Sequence, residues 1–367
     1  MLDHALKLLN KIESCGFKAY IVGGFVRNYL LGMESTDIDI CTNAKPKDIR
    51  GIFQMNCLPN EEYGSVTVII KNMRYEITTF RKEYSYVDHR KPQNFEFIDD
   101  LCEDLKRRDF LINTMCMDCH GNILDILGGK KDLESKIIHT VGNSYERFSE
   151  DAFRILRAVR FATILDFQLS DEIKMAIFQT KHLLKDISYE RKREELDKIF
   201  TSGNVLHGVS LLLELGLDQE LELFHLSEVK NYDDLIGVWA QLRVDEDTYR
   251  FTAHERELIE KIQIVLDQDN YDSFVLYHYG LYVNSVAAGI KNLDKKRVTF
   301  LYNALPIHSI RDIVINGKDV YEVLGRRPGG YIKAILKDIE EKILTQELDN
   351  TRDQLLDYVL KKYGNLC

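Results

Sequence analysis

The sequence contains no uninterrupted apolar run near the about 20 residues that a membrane-spanning helix requires. Its first segment, MLDHALKLLNKIESCGF, predicts an amphipathic helix and lacks the basic start, apolar middle and cleavage site of a secretory signal. The seven cysteines (15, 41, 57, 102, 116, 119, 367) are odd in number and scattered, which favours a reducing cytoplasm over a disulfide framework. With 45% hydrophobic residues and a mean hydropathy of -0.26, the chain is predicted to be soluble and globular, with no membrane partner.

Low-complexity segments and strong internal repeats are also missing. The five prolines (46, 59, 92, 306, 328) all lie outside the strong helical patterns. At 367 residues, the chain is long enough for two to four packed units rather than one core.

Net positive charge is absent too, since the formal charge is -10. Binding to nucleic acid nevertheless depends on a local basic stripe rather than on net charge. Basic residues are concentrated at 106–108, across 147–160, at 191–193 and at 326–327. These clusters are either solvated helix faces or contacts for a phosphate-rich partner.

Hydrophobic periodicity divides the chain into two parts. Up to residue 135, short runs rich in Val, Ile, Thr and aromatics predict strands, namely AYIVGG, DIDICT, SVTVII, YEITTF and NFEFI. Asn72, between SVTVII and YEITTF, predicts a hairpin turn. From residue 145 the segments DAFRILRAVRFATIL, DEIKMAIFQTKHLL and REELDKIF have helical spacing, which continues to the end. The predicted fold class is therefore α+β, with an α+β head followed by a long helical part.

Two carboxylates, Asp37 and Asp39, lie in the β-type run TDIDI. Residues i and i+2 of a strand project from the same face, so their mutual repulsion needs a positive partner. Mg²⁺ suits them because it prefers oxygen ligands and keeps positions open for water and phosphate. Two such ions would serve in-line attack on a nucleotide phosphate, with Glu76 in RYEITTF as a third carboxylate. The alternative is an ordinary exposed strand face.

Gly23 and Gly24 end the run AYIV, and FVRNYLLG after them predicts a short helix. A strand, a glycine turn and a helix start can form a backbone-amide cradle for a triphosphate. An ordinary tight turn is the alternative. Glycines followed by D-x-D after a short helix are typical of the DNA polymerase β-like nucleotidyltransferases.

Four motifs in order, GGFVRNYLLGMESTDIDI, RRDFLINTMCMD, EDAFRILRAVRF and SYERKREELDKIF, resemble those of the class II tRNA nucleotidyltransferases, the bacterial-type CCA-adding enzymes. The stretch INGKDVYEVLGRRPGGYIKAILKDIEEKILTQELDN resembles their tail, whereas 205–300 matches no motif. The resemblance implies template-independent addition of CCA to the 3′ end of tRNA from CTP and ATP, with Mg²⁺. It also implies a head (1–138), a helical neck that selects nucleotides (139–204), a helical body (205–300) and a helical tail that binds tRNA (301–367).

Narrower relatives are the rival interpretations, because the family also includes CC-adding, A-adding and poly(A)-polymerising enzymes. EYGSVTVII at 62–70 is similar to the CCA-adding version rather than to the basic segment of the poly(A) polymerases. The segment 81–97, RKEYSYVDHRKPQNFEF, has the full length that CC-adding enzymes lack, and its polar composition suits a mobile surface loop. Leu111 and Thr114 depart from the usual Thr and Ala. A catalytically inactive RNA-binding protein is a further rival, which intact Asp37, Asp39 and Glu76 count against.

Roles for individual residues follow from the resemblance. Asp37 and Asp39 are expected to bind the metals, with Glu76 ordering the metal site and the attacking 3′-hydroxyl. Gly24, Arg27 and Arg108 are expected to touch the triphosphate, because guanidinium offers paired donors to oxyanions. Asp109 is expected to hold the ribose or an arginine.

The base is expected to be selected by Asp151 and Arg154, on the face of a helix that Ser149 caps. A carboxylate beside a guanidinium mirrors the amino donor and ring acceptor that both cytosine and adenine present. Arg157 and Arg160 continue that face toward phosphate or the tRNA backbone. The alternative is a first turn whose acidic residues simply favour the helix dipole. Cys116, Cys119 and His120 have a zinc-like spacing without a second ligand pair, so zinc is not predicted.

Overall fold

The computed structural model of the protein contains two compact units, Met1–Ser227 and Glu228–Cys367. The residues it describes are 1–35, 37–54, 57–58, 64–71, 73–87, 91–245, 247–268 and 271–364. The border between the units lies inside the segment predicted as the body, 205–300. The borders of head, neck, body and tail stay predictions.

The first unit begins with helix α1 (Leu2–Ser14) and contains a mixed sheet of seven strands in the order β3-β4-β5-β2-β1-β8-β9. In chain order these are β1 (Ala19–Val22), β2 (Ile38–Thr42), β3 (Cys57–Leu58), β4 (Ser65–Ile70), β5 (Met73–Thr79), β8 (Cys116–Met117) and β9 (Ile123–Leu124). Strand β5 pairs with β2 in parallel and with β4 in an antiparallel hairpin, whereas the other pairs are antiparallel. The predicted strands and the hairpin are thus confirmed, although Asn72 lies outside the described residues.

Alternation along the central strands explains which face of the sheet is open. Ile38 and Ile40 in β2, like Tyr75 and Ile77 in β5, are buried on the face that α1 and α3 (Pro46–Phe53) cover. Asp39 lies between the two isoleucines and points to the opposite face. The strand sequence therefore presents its carboxylate on the side away from the two helices.

A second hairpin corrects one expectation. Residues 81–97 were predicted as a polar surface loop apart from the strand NFEFI, but they form antiparallel strands β6 (Arg81–Val87) and β7 (Lys91–Phe97), with 88–90 outside the described residues. Strand β7 confirms the prediction for NFEFI. Lys82 pairs with Glu96 and Tyr84 with Asn94, so opposite or complementary polar groups face each other across the strands. Cross-strand pairing of this kind, together with Phe95 near Phe97, favours a hairpin over an irregular loop.

The rest of the first unit is mainly helical. The helices are α2 (Gly24–Leu30), α4 (Leu101–Lys106), α5 (Gly129–Ser135), α6 (Ser144–Glu150), α7 (Phe153–Leu165), α8 (Asp171–Thr180), α9 (Tyr189–Phe200), α10 (Val205–Glu214) and α11 (Leu217–Glu220). Residues 181–184, predicted to belong to the same helix as α8, instead begin a 3-10 helix (Lys181–Asp186). Strand β10 (Ile137–Ile138) pairs with β11 (Gln168–Leu169). Helix α7 is buried along most of its length, from Phe153 to Leu165, and packs against α9 and α10.

The second unit is helical, as predicted. It comprises α12 (Leu235–Leu242), α13 (Ala253–Leu266), α14 (Ser273–Ile290), α15 (Lys295–Asn303), α16 (Gly317–Val323), α17 (Tyr331–Leu344) and α18 (Arg352–Tyr363). Ile335, Ile339 and Ile343, spaced four apart on α17, form a core with Leu355 and Val359 of α18. In the part of the chain that the structure describes, no helix combines the length and the apolarity needed to cross a membrane.

Candidate active site

The turn between β1 and α2 brings the backbone close to charged groups. Gly23 precedes α2 with φ = 79°, a backbone conformation that favours glycine. A Cβ at this position would lie 3.6 Å from Asp39 Oδ2 and 3.8 Å from Arg108 Nη1. The glycine therefore leaves space beside a carboxylate and a guanidinium, and Gly24 starts the helix at the same place.

Carboxylates from two neighbouring strands gather on the open face of the sheet. Asp37 lies directly before β2, Asp39 lies within it, and Asp39 is in register with Glu76 of β5. Partial removal from water within the cleft, together with the negative charge of Glu76 and then of Asp37, raises the pKa of Asp39, and Arg108 opposes this rise. A cation near Asp39 would relieve the repulsion.

The carboxylate pair fits a divalent metal ion. No group of three or more His, Cys, Asp or Glu side chains close enough to hold a metal occurs among the described residues. Asp37 and Asp39 line the same cleft, which is open enough for the remaining ligands to be water and phosphate. One or two carboxylates completed by substrate phosphate form a common site for Mg²⁺ at nucleotides, so the donor set is adequate without a third side chain.

A polar cleft of about 510 Å³ contains all of the predicted nucleotide-binding residues and both predicted metal ligands. Its lining includes Gly24, Arg27, Asp37, Asp39, Arg108, Asp109, Asp151, Arg154, Arg157 and Arg160. We call it the first cleft. Glu76 does not line it, but lines a second cleft of about 240 Å³ that also contains Asp39, Arg107 and Arg108.

Two of the cleft arginines are connected through Asn113 and Asp109. Arg27 donates to Asn113 Oδ1 at 2.7 Å, and Asn113 Nδ2 donates to Asp109 Oδ1 at 3.1 Å. The Nε of Arg157 donates to Asp109 Oδ2 at 2.9 Å. Burial opposes ionisation of Asp109, but Arg157 and the hydrogen bonds outweigh it and hold its pKa well below the usual range. Asp109 thus holds an arginine, one of the two roles predicted for it.

Phe161 lies beneath three guanidinium groups in the first cleft. The distances from its ring centroid to the guanidinium carbons of Arg27, Arg157 and Arg160 are 4.9, 5.4 and 4.2 Å. Burial, and to a smaller extent the positive charge of Arg160, lowers the pKa of Arg27 to about 10. Arg27 therefore stays protonated at neutral pH, and the neighbouring arginines repel one another. The ring face attracts each of them. Sequence reasoning missed Phe161, because its spacing reads as one more apolar residue of α7.

Arg108 pairs with an acidic residue, Asp104, that was not predicted from the sequence. Asp104, fully buried in α4, lies 3.5 Å from Arg108 Nη2 and accepts hydrogen bonds from Arg107 Nε at 2.9 Å and the Arg81 backbone at 3.1 Å. Glu83 of β6 pairs with Arg107 Nη1 at 3.2 Å and Arg81 Nη2 at 2.7 Å. The hairpin β6–β7 is therefore tied to the arginines of the RRDF motif. Arg107 is part of this cluster as well.

The proposed base-selecting pair requires a correction. Ser149 does not cap a helix, because it lies inside α6, and α7 begins at Phe153. Asp151 follows the end of α6, where its side chain accepts a hydrogen bond from the Phe153 backbone at 3.1 Å. The pair is thus at a helix junction rather than on one helix face, because the extended backbone at Asp151 interrupts the helix.

The two groups nevertheless meet in the first cleft. Arg154 donates to the Arg147 carbonyl and to Glu150 Oε2, both at 2.9 Å, which fixes its guanidinium. Burial raises the pKa of Asp151, while Arg154 and then Arg191 pull it down. Arg160 pairs with Glu195 of α9 at 2.5 Å. Glu195 is distant from Arg160 in the sequence, so no local spacing could have indicated this pair, whereas Glu150 lies four residues before Arg154.

Comparison with known proteins places this site in a family. Residues 19–139 match the poly(A) polymerase head domain, 166–223 the probable RNA- and SrmB-binding site of polymerase A, and 228–359 the putative second domain of tRNA nucleotidyltransferases. The CCA-adding enzyme of Lactococcus lactis subsp. cremoris (strain MG1363) is 37% identical over 97% of this chain and 96% of its own. The chain belongs to the CCA-adding enzyme family.

Solved structures of the CCA-adding enzymes have the same fold. The Bacillus stearothermophilus enzyme in complex with CTP superposes with a TM-score of 0.86 at 29% identity, covering 98% of this chain and 96% of its own. The Thermotoga maritima enzyme complexed with tRNA has a TM-score of 0.68 at 23% identity, covering 98% and 94%, and supports the fold alone. CCA-adding enzymes are nucleotidyltransferases, which generally use divalent metals.

Proposed function

We propose that this chain adds C, C and A in turn to the 3′ end of tRNA, using CTP, ATP and Mg²⁺ and releasing pyrophosphate. The observation that carries the proposal is the first cleft. In it, the carboxylates of Asp37 and Asp39, a glycine turn, six arginines and Asp151 converge within one unit. A relative that is 37% identical over nearly the whole chain is named a CCA-adding enzyme, and a related structure contains CTP.

The roles of the residues follow from charge and position. Asp37 and Asp39 would hold divalent ions, which when bound would stabilise the charge of the transferring phosphate. Glu76, in register with Asp39, would orient the attacking 3′-hydroxyl from the adjoining second cleft. Gly24, Arg27 and Arg108 would receive the triphosphate, and Asp109 would keep Arg157 directed toward it.

The base would be selected by protein side chains instead of a template. The carboxylate of Asp151 would accept the amino group of cytosine or adenine, while the fixed guanidinium of Arg154 would donate to the ring nitrogen. Uracil and guanine would place a carbonyl against the carboxylate and an N–H against the guanidinium. Each mispaired buried group costs on the order of 1–3 kcal/mol, enough to reject UTP and GTP by a few powers of ten.

Complete CCA addition is favoured over CC addition by the hairpin β6–β7. Both of its strands are present, and it is tied through Glu83 to Arg107 beside the first cleft. We also infer a cytoplasmic location, because the six cysteines among the described residues are free thiols, as a reducing compartment maintains them.

Incubation with a tRNA lacking CCA and with labelled NTPs, singly and in pairs, tests the proposal. CTP alone should extend the tRNA by two residues, CTP with ATP by three, and UTP or GTP by none. Addition that stops after CC in the presence of both nucleotides would indicate a CC-adding enzyme. Incorporation of A alone, once or repeatedly, would indicate an A-adding enzyme or a poly(A) polymerase, and no incorporation would leave an RNA-binding protein.

A further inference from the structure

The second cleft adjoins the catalytic carboxylates and lacks the glycine turn and the base-selecting pair of the first cleft. It shares Asp39, Arg107 and Arg108 with the first cleft. Its remaining polar lining consists of Ser65, Glu76, Thr78 and Arg81. Asp39 is therefore accessible from two sides, and each side is lined by different chemistry.

Strand register explains why the lining of the second cleft is polar. Glu76 and Thr78, two apart on β5, project from the same face of the sheet, while Tyr75 and Ile77 are buried on the other face. Glu76 is opposite Asp39 of β2, and Thr78 is opposite Ser65 of β4. Three neighbouring strands thus present carboxylates and, two residues along, hydroxyls on one face of the sheet.

The two hydroxyls form a pair. Ser65 Oγ and Thr78 Oγ1 are 2.8 Å apart, so one of them donates to the other. Each hydroxyl has one donor and two acceptor positions, so the pair retains one O–H donor and acceptor lone pairs for a ligand. That combination suits another hydroxyl group, which must both donate and accept.

The chemistry of nucleotidyl transfer requires an acceptor site on this side. In an in-line displacement, the attacking oxygen and the leaving pyrophosphate are on opposite sides of the phosphorus. The glycine turn and Arg27 lie only in the first cleft, which assigns the triphosphate to that side. The attacking 3′-hydroxyl then enters from the second cleft, which Glu76 and the hydroxyls of Ser65 and Thr78 line.

We propose that the second cleft binds the 3′-terminal ribose of the acceptor RNA and that the Ser65–Thr78 hydroxyl pair contacts its 2′-hydroxyl. This inference rests on the proposed nucleotidyltransferase activity and adds the means by which the protein distinguishes an RNA end from a DNA end. The 2′-hydroxyl is the group by which proteins tell the two apart. The 3′-hydroxyl beside it is thereby directed toward Asp39 and Glu76.

The test compares two acceptors that differ by one oxygen. A tRNA lacking CCA is prepared with either ribose or 2′-deoxyribose at its last nucleotide, and kcat/KM for addition of the first C is measured for each. The proteins are wild type, Thr78→Val, Thr78→Ser and Thr67→Val. Valine keeps the shape and the strand preference of threonine while removing the hydroxyl. Thr67 lies in the same sheet, opposite Glu76, but does not line the second cleft, so it is the matched control.

Wild type, Thr78→Ser and Thr67→Val should prefer the ribose acceptor by about 2- to 10-fold, the difference that one net hydrogen bond produces. Thr78→Val should bring the ratio of kcat/KM for the ribose acceptor to that for the 2′-deoxyribose acceptor close to one. The change should come from a higher KM for the ribose acceptor, with the KM for CTP unchanged. A wild type without preference, or a Thr78→Val protein with the full preference, would overturn the inference while leaving CCA addition intact. Failure of the wild type to add C to either acceptor would instead refute the proposed function itself.

Discussion

The two units differ in whether they bury charged side chains. Among the described residues, the charged side chains that are buried are Arg27, Asp104, Asp132, Arg154, Lys192 and Glu195, all in the first unit. In the second unit the buried polar side chain among the described residues is Asn284. Ion pairs with both partners exposed occur in this unit, such as Arg243–Asp267, in which 47% and 63% of the side chains are accessible. Its interior is built from apolar residues such as Ile335 and Ile339.

Burying a charge costs several kcal/mol unless the charge is well paired, so a fold gains little stability from doing it. Most of the buried charges of the first unit are nevertheless close to the first cleft or support its arginines. Arg27 and Arg154 line the cleft, Asp104 holds Arg108, and Glu195 holds Arg160. The difference between the units indicates that the first unit gives up stability to keep its binding groups in place.

The largest effect should follow loss of a metal ligand in the first unit. Asp39→Ala should reduce addition of both C and A by at least about 10³-fold, because several kcal/mol of transition-state stabilisation disappear. Binding of tRNA should survive. Single-turnover incorporation checks this, with Asp267→Ala in the second unit as a control that should be as active as wild type. Normal turnover by Asp39→Ala would remove Asp39 from the site.

Deletion of 84–93 should separate the two nucleotides. We expect CC addition to continue at nearly the wild-type rate and the final A to be lost, because the family resemblance links the full length of this segment to addition of the terminal A. Glu83 stays in place, so its contacts with Arg81 and Arg107 are retained. Gel analysis of products with CTP and ATP together measures the outcome. Equal loss of C and A would make the hairpin a structural element.

Substitutions at the helix junction should alter nucleotide choice. Arg154→Ala should lose use of CTP and ATP together, by about 10- to 100-fold in kcat/KM, since one charge-assisted hydrogen bond is removed. Asp151→Asn has an amide donor as well as an acceptor, so it should admit UTP. Competition between labelled CTP and UTP checks this. Unchanged discrimination by Asp151→Asn would place the selecting groups elsewhere.

The two units should also differ in how their ion pairs respond to pH. Asp109→Asn should lower the free energy of unfolding at pH 7 by about 2–3 kcal/mol, which is less than for a fully buried pair because Arg157 is partly exposed. Asp267→Asn should lower it by under about 0.5 kcal/mol, because its ion pair is exposed. The pKa of Asp109 is lowered in the folded state, so its contribution is complete above the unfolded pKa of about 4 and is lost as the pH falls below it. Urea unfolding at pH 7 and below 4 measures both. A difference for Asp109→Asn that grows on acidification would contradict the pairing.

The smallest effect concerns Phe161. Phe161→Leu keeps an apolar side chain but removes the ring face beneath three arginines, so KM for CTP and ATP should rise together by about 3- to 10-fold with little change in kcat. Phe161→Tyr keeps the ring and should restore wild-type KM. Steady-state kinetics with each nucleotide provide the values. Equal KM values for Phe161→Leu and wild type would show that the ring acts only through packing.

Much of the fold and part of the site could be predicted from local sequence. The strands of the head, the β4–β5 hairpin and the same-face placement of Asp37 and Asp39 follow from alternation, which is a property of a few adjacent residues. The family resemblance added the arginines and Asp151, and the structure brings them into one cleft.

What the sequence did not predict depends on contacts between distant segments. Glu83 and its partner Arg107 are 24 residues apart, and Asn113 and its partner Arg27 are 86 residues apart. Asp104 is the exception, because it lies one helical turn before its partners Arg107 and Arg108. Residues 81–93 were wrongly predicted as a loop because their polar composition concealed cross-strand pairing. The helix start was misplaced because Ser149 and acidic residues fit a cap motif, although α6 already occupied that position.

The most direct test of selection without a template is equilibrium binding of the four NTPs to the protein in the absence of tRNA. Non-hydrolysable analogues of CTP, ATP, UTP and GTP would be titrated calorimetrically in Mg²⁺ against wild type and Asp151→Asn. CTP and ATP should bind wild type with similar Kd, UTP and GTP at least about tenfold more weakly, and Asp151→Asn should narrow the gap for UTP. Equal binding of all four nucleotides to wild type would contradict the claim that side chains in the first cleft read the base.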